Sequence, residues 1–257
     1  MTHDIIVIGA SAGGVAACKQ LVRGLPPELA AAVFLVHHIP SSAPSHLPEI
    51  LAYAGTLPVQ HGVDGEPIRR GRISVAPPDC HLLLEATHLR LTQGPKENRL
   101  RPAIDPLFRS AAYAFGPRVI GVILSGALDD GTAGLWTIKD RGGLALVQHP
   151  DEAQHASMPL SALRHVEIDY CVPTAELAPL LVELTHQPVV ATKEESMSTE
   201  LEIETKIGLQ HEGLAAGVLQ LGAPSIFTCP ECHGVLLHLQ HGRLQRFRCH
   251  TGHAFSP

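Results

Sequence analysis

The chain has 257 residues, a formal net charge of -6 at pH 7 and 45% hydrophobic residues, enough for one large α/β domain with a buried core and a small appendage. It carries no Lys/Arg-dense block, so nothing draws it to nucleic acid or to an anionic membrane surface. Met1-Thr2-His3-Asp4 leads straight into an apolar segment without a basic leader, and no apolar run approaches the ~20 residues of a membrane span, so the expectation is a cytoplasmic protein with no membrane insertion.

Short β-branched runs alternate with helix-like stretches along the chain. Strands are predicted at 5–8, 32–37, 119–124 and 144–147, with helices at 13–22, 45–53 and 133–141. This alternation predicts a doubly wound, mainly parallel sheet with helices on both faces. Residues 72–76 and 81–91 read as short strands divided by Pro77-Pro78-Asp79, a hairpin-like insertion that predicts mixed character at one sheet edge. The large domain is expected over 1–188. From about Gln187 the texture changes: "KEESMSTELEIETK" is charged, poor in aromatics and without a clean period, so 189–223 is expected to be a linker with short helical pieces. Residues 224–257 form a compact Cys- and His-bearing C-terminal unit. Cys18, Cys80 and Cys171 stand singly in apolar surroundings and read as reduced core thiols.

The first predicted strand opens into "DIIVIGASAGG". A dinucleotide loop would place a second glycine where Ser11 stands, and a P-loop would continue into Gly-Lys-Ser/Thr, so neither phosphate-binding pattern fits. What remains is Gly9-x-Ser11-x-Gly13-Gly14 between a strand and a helix, where small neighbours permit a sharp turn that exposes a hydroxyl. By itself the turn suits a nucleophile or an anion-binding loop. A nucleophile needs a base at a neighbouring strand end. The strand at 32–37 runs into His38-Ile39-Pro40, and the strand at 119–124 runs into Ser125-Gly126-Ala127-Leu128-Asp129-Asp130-Gly131. Ser, His and Asp at three strand ends of one sheet supply nucleophile, base and orienting acid. An α/β-hydrolase would run Ser, acid, His, and would have strands ahead of its elbow, so that fold is disfavoured.

With these residues in view, the chain resembles the catalytic domain of CheB-type protein-glutamate methylesterases. The resemblance covers about residues 4–185 and rests on "IVIGASAGG", "VHHIP", "VAPPDCHL", "RPAIDPLFRSAA", "GVILSGALDDGTAG" and "SMPLSAL", in that order. It implies a nucleophile at Ser11, a base at His38 rather than His37, and an acid at Asp130 rather than Asp129. It also implies hydrolysis of glutamyl methyl esters on chemoreceptors in chemotaxis-type signalling, with no cofactor for the catalytic step. The backbone N–H groups near Ala12 and Ala127 are the expected oxyanion donors. Two departures stand out. The strand carrying Ser11 starts at residue 5, so the receiver domain of the family's best-known form is not expected ahead of it, and Ala12 and Gly126-Ala127-Leu128 replace residues frequent in the family. Arg99, Arg101 and Asp105 fit either a substrate-facing loop or helix capping and a solvated basic face. The other reading of the whole is a noncatalytic signalling adaptor that keeps the fold and docks on a signalling partner through its C-terminal unit.

In that unit Cys229-Pro-Glu-Cys232 makes one knuckle, and Cys249-His250-Thr-Gly-His253 follows a β-like stretch. The spacing C-x2-C…C-x3-H predicts a closed, structural zinc site held by Cys229, Cys232, Cys249 and His253 in a zinc-ribbon-like fold. A segment this short has little core, so bound metal would contribute much of its folding free energy.

Overall fold

The computed structural model describes residues 1–189, 198–210, 213–241 and 244–256. Parts of the expected linker (190–197 and 211–212) and of the C-terminal unit (242–243 and 257) lie outside the described residues.

Seven strands form one parallel sheet: β1 (Ile5–Ala10), β2 (Ala32–His37), β3 (Val59–His61), β4 (Arg72–Val75), β7 (Val119–Ile123), β8 (Leu144–Gln148) and β9 (Tyr170–Val172), in the order β3-β4-β2-β1-β7-β8-β9. Strand β1 is fully buried, as its unbroken apolar run requires in a sheet covered on both sides. Its alternate side chains split between two cores. Ile6 and Ile8 pack with helices α1 (Gly14–Arg23), α2 (Leu47–Ala54) and α6 (Thr174–His186), through residues such as Leu21, Leu51 and Leu181. Ile5 and Val7 face helices α3 (Ile104–Phe115), α4 (Thr132–Asp140) and α5 (Ser157–His165), through Leu107, Phe108, Leu135 and Met158. The doubly wound, parallel architecture is therefore as expected.

The mixed sheet edge is not. Among the described residues, strands β5 (His81–Leu84) and β6 (Leu89–Thr92) pair only with each other, as a separate antiparallel hairpin packed against α3. Four consecutive side chains, His81 to Leu84, are buried, and Leu82, Leu84 and Leu89 join the core that Ile5 and Val7 face. Among the lone cysteines, Cys18 is buried and its thiol is pushed up to about 12 by burial, whereas Cys80 and Cys171 are only half-buried.

Within the stretch expected as a linker lies α7 (Thr199–Gln210), packed on α3, β5 and β6, followed by the short α8 (Gly213–Ala216). Leu201, Ile203, Glu204, Thr205 and Ile207 are all buried, so α7 has no single apolar stripe for a periodicity search to find. The C-terminal unit is a four-stranded antiparallel sheet of β10 (Ala223–Thr228), β11 (Val235–His241), β12 (Leu244–Cys249) and β13 (Ala254–Phe255).

Candidate active site and metal cluster

Open α/β sheets place ligands outside the carboxyl ends of their strands, and the three residues expected there converge at that rim. Ser11 follows β1, His38 follows β2, and Asp130 lies in the loop after β7. These strands are neighbours, with β1 in the middle. The loops are stitched together by backbone: Ser11 N–H donates to Ser125 O at 2.9 Å, His38 N–H to Ala10 O at 3.2 Å, and Leu124 N–H to Gly9 O at 2.9 Å. Gly13, at φ 71, begins α1 in a left-handed conformation, and a side chain there would come within 2.8 Å of the Ser125 hydroxyl. Only glycine meets both demands without strain.

The His38 ring bridges the other two side chains. Its Nδ1 lies 3.0 Å from Ser11 Oγ and its Nε2 lies 2.7 Å from Asp130 Oδ2. Because a carboxylate only accepts, Nε2 carries the proton, and the Nδ1 lone pair faces the hydroxyl. The ring is therefore flipped relative to the familiar serine-protease arrangement, in which Nε2 faces the serine, but the proton path has the same sense.

Asp130 is 2% exposed and accepts four hydrogen bonds. Besides His38, Oδ2 receives Ile104 N–H at 2.7 Å, while Oδ1 receives Asp105 N–H at 3.3 Å and Gly131 N–H at 3.0 Å. Helix α3 has no side-chain cap of its own at Ala103, so Asp130 caps it from another loop. The amino end of α3, with its partial positive charge, faces the Asp130 carboxylate.

Asp105 neither caps its own helix nor faces the cleft. It is buried and accepts Gly134 N–H of α4 at 2.6 Å, and burial followed by the nearby Asp130 charge raises its carboxyl well above the usual range. Arg101 is likewise structural: it reaches Asp79 at 2.8 and 3.0 Å and the carbonyls of Gln93 and Gly94. Arg99 holds a left-handed backbone at φ 65. His37 differs from His38 in that its Nε2 is buried without a hydrogen-bond partner among the described residues. Burial, then the neighbouring His38, lowers its pKa.

Beside Ser11 opens a cleft of about 630 Å³ whose walls include Ala12, Val15, Lys19, His37 and Gln154. The N–H groups of Ala12 and Ala127 have no backbone acceptor among the described residues, whereas Gly126 N–H is committed to His155 O at 2.9 Å. Lys19 and Gln154 carried no sequence signal: Lys19 is an isolated polar residue on a helix read for its apolar pattern, and Gln154 lies in the loop between β8 and α5, where a polar residue is ordinary. Ser125 was also missed. Its hydroxyl donates to Ala12 O at 2.8 Å and accepts His155 N–H at 3.0 Å, fixing the turn that displays Ser11.

Known proteins share this architecture. The sequence profile described as CheB methylesterase matches residues 6–181. The chain belongs to the CheB methylesterase family. A Leptospira interrogans protein named as a candidate protein-glutamate methylesterase/protein-glutamine glutaminase is 37% identical over 185 residues, covering 72% of this chain and 96% of that protein. An Anaeromyxobacter dehalogenans protein-glutamate methylesterase/protein-glutamine glutaminase is 40% identical over 184 residues, 71% of this chain and 53% of that protein. The crystal structure of the Thermotoga maritima CheB methylesterase catalytic domain aligns with a TM-score of 0.69 at 31% identity, covering 72% of this chain and all of that one.

The CheB methylesterase match ends before the C-terminal unit, where Cys229, Cys232, Cys249 and His253 present donor atoms within 4.8 Å of one another. Bonds of about 2.3 Å to sulfur and 2.05 Å to nitrogen imply tetrahedral edges of roughly 3.8 Å between sulfurs and 3.6 Å between sulfur and nitrogen. The structure has Cys232 Sγ to Cys249 Sγ at 3.5 Å, Cys229 Sγ to His253 Nδ1 at 3.7 Å and Cys249 Sγ to His253 Nδ1 at 3.5 Å. The donor set therefore fits a tetrahedral metal ion. Burial alone would raise the Cys249 thiol, but hydrogen bonds from His253, Thr251 and Cys232 outweigh it and hold the thiol at about 5, near its metal-binding form. Thr251 Oγ1 lies 2.9 Å from Cys249 Sγ and 3.1 Å from His253 Nδ1, where it orients both donors. His250 packs against Gly234 instead and is not part of the cluster.

Proposed function

We propose that the chain is a protein-glutamate methylesterase, a serine hydrolase that removes methyl from glutamyl esters of chemoreceptor-type proteins in chemotaxis-type signalling. The single observation that carries this reading is the continuous hydrogen-bonded path from Ser11 through His38 to Asp130, in a chain of the CheB methylesterase family.

Ser11 is the nucleophile, His38 the base and Asp130 the orienting acid. His38 Nδ1 takes the hydroxyl proton as Oγ attacks the ester carbonyl, and Asp130 stabilises the imidazolium that forms. The N–H groups of Ala12 and Ala127 are the donors assigned to the oxyanion. As the tetrahedral intermediate collapses, the proton passes from His38 to the departing methoxide, giving methanol and a glutamyl ester of Ser11. Water, deprotonated by His38, then attacks this ester. The products are the free glutamate carboxylate and a reprotonated Ser11. The same acyl-enzyme route would serve a glutaminyl amide with ammonia as leaving group, the second activity in the relatives' names.

No metal or organic group takes part in these steps. Cys229, Cys232, Cys249 and His253 would hold zinc, supplying folding free energy to the small C-terminal sheet. We place the protein in the cytoplasm, where thiols stay reduced. No helix among the described residues is long and apolar enough to cross a membrane.

The test is labelling with a fluorophosphonate, together with methanol release from methylated receptor membranes. Labelling confined to Ser11, lost in His38→Ala, is expected. A folded protein that neither labels nor releases methanol would instead be the noncatalytic adaptor.

A further inference from the structure

The C-terminal unit grips the segment that leads into the amino end of α3. Asn98 N–H donates to Ala254 O at 2.8 Å, and Ala254 N–H donates to Lys96 O at 3.3 Å, so β13 extends onto residues 96–98. Ser256 N–H donates to Asn98 Oδ1 at 2.9 Å, and the Ser256 hydroxyl donates to Asp129 Oδ1 at 2.7 Å. Below this contact is a buried charge cluster. Arg248 donates to Glu97 at 2.9 Å, to Glu204 at 2.8 Å and to Gly252 O at 2.7 Å. Arg109 of α3 also binds Glu97, and Arg246 binds Glu204.

The gripped segment has an uncommon left-handed backbone. Asn98 and Arg99 are consecutive non-glycine residues at φ 50 and φ 65. The pair is the tip of a tight turn closed by Leu100 N–H to Glu97 O at 2.8 Å and Glu97 N–H to Leu100 O at 3.3 Å, and Ala254 and Ser256 fasten this tip through Asn98 while Arg248 holds its base through Glu97. Ile104 and Asp105, whose N–H groups hold Asp130, follow a few residues on. The candidate metal ligand His253 directly precedes Ala254, and Cys249 directly follows Arg248. Asp129, the target of Ser256, directly precedes Asp130.

We propose that metal loading of the Cys229, Cys232, Cys249 and His253 cluster orders the cradle around Asp130, with Arg248, Ala254 and Ser256 as positioning residues acting through Glu97, Asn98 and Asp129. The C-terminal unit is thereby an in-built governor of the rim rather than a passive tail. The coupling rests on the esterase reading only for its effect on turnover.

Hydrogen exchange tests it on the full chain, carrying one equivalent of zinc or stripped with a chelator. Amides of 94–105 and 129–131 are expected to exchange about tenfold faster in the stripped protein, the scale of one lost hydrogen bond, while the β1 and β7 amides hold. Ser256→Ala, with zinc retained, should speed exchange at 129–131 alone, and labelling of Ser11 should slow on stripping. Equal exchange with and without zinc, or loss of protection throughout the chain at once, would overturn the coupling. Selective loss of protection in a chain that never labels at Ser11 would uphold the coupling and discard the esterase.

Discussion

Asp130 holds His38 and caps α3 with one oxygen: Oδ2 accepts His38 Nε2–H and Ile104 N–H, each at 2.7 Å. The proposed catalytic geometry and helix stability therefore share an atom. In Asp130→Asn the amide can accept through one end only: with its oxygen at the Oδ2 position its NH2 faces Asp105 N–H and Gly131 N–H, and with its oxygen at the Oδ1 position its NH2 faces both His38 and Ile104 N–H, so α3 loses a partner in either orientation. The expected result is a fall in kcat of about 10³ to 10⁴ together with destabilisation of roughly 1–2 kcal/mol from the lost cap. Ester hydrolysis and denaturant unfolding measure the two, and loss of activity with unchanged stability would contradict the shared role.

Ser11→Ala is expected to behave in the opposite way. The Ser11 hydroxyl makes no structural bond beyond His38 among the described residues, and the turn is fixed by backbone and by Ser125. Stability should stay within about 0.5 kcal/mol of the parent, with turnover abolished. Ser125→Ala should instead lower both stability and turnover, because it frees Ala12 O and His155 N–H.

His81 ties acidity to the entry of α3. It is buried, with Nε2–H donating to Pro95 O at 3.0 Å and Nδ1 accepting Ala103 N–H at 3.2 Å, and burial pushes its pKa down to about 4. The neutral ring is the one that fits. Above the ordinary histidine value of about 6.5 both folded and unfolded chains hold it neutral, so its contribution is complete there. Between that value and about 4 the unfolded chain binds a proton that the folded chain refuses, so stability falls as the solution is acidified. Unfolding free energies measured across this window should show the slope in the parent and lose it in His81→Gln.

Glu204 gives a second, more acidic window. Burial would raise its carboxyl, but Arg246, Arg109 and Arg248 outweigh burial and hold it at about 2. The attraction is fully present above the ordinary glutamate value of about 4.3 and is lost as pH falls from there towards about 2. Glu204→Gln leaves three buried guanidinium groups facing one carboxylate fewer, a change that costs about 3–5 kcal/mol when a buried pair is broken. Limited proteolysis should then release the C-terminal unit at neutral pH. A variant as resistant as the parent would show that the charge cluster does not fasten the two units.

Cys249→Ser is expected to lose one bound zinc per chain by elemental analysis, with His250→Ala retaining it. Equal metal content in both variants would break the assignment of the ligands.

Residues whose chemistry depends on a local pattern were legible in the sequence. The strand preceding Ser11, the His38-x-Pro40 ending of β2 and Asp130-Gly131 each announce themselves within a few positions, and the Cys/His spacing does the same for the candidate metal cluster. What stayed hidden was long-range. Glu97, Arg109, Glu204 and Arg248 form one buried cluster from four distant places, and a charged residue read alone looks solvated. Glu204 sits in the very stretch whose charge suggested a linker. Asp105, which read as either a substrate-facing residue or a cap of α3, instead binds α4, while α3 is capped by a residue that no local rule connects to it.

The amino-terminal end of β1 has a consequence for any attachment at Met1. Thr2 bridges Pro188, and Val189 N–H donates to Met1 O at 2.9 Å, so the beginning of the chain and the exit of α6 are tied together at the end of the sheet opposite Ser11. The six residues of β1 separate the two ends by about 20 Å at the usual rise per residue. A handle or fused module placed there starts on the far side from the cleft and leaves its mouth clear, whereas the same cargo appended after Ser256 would sit beside Asp129.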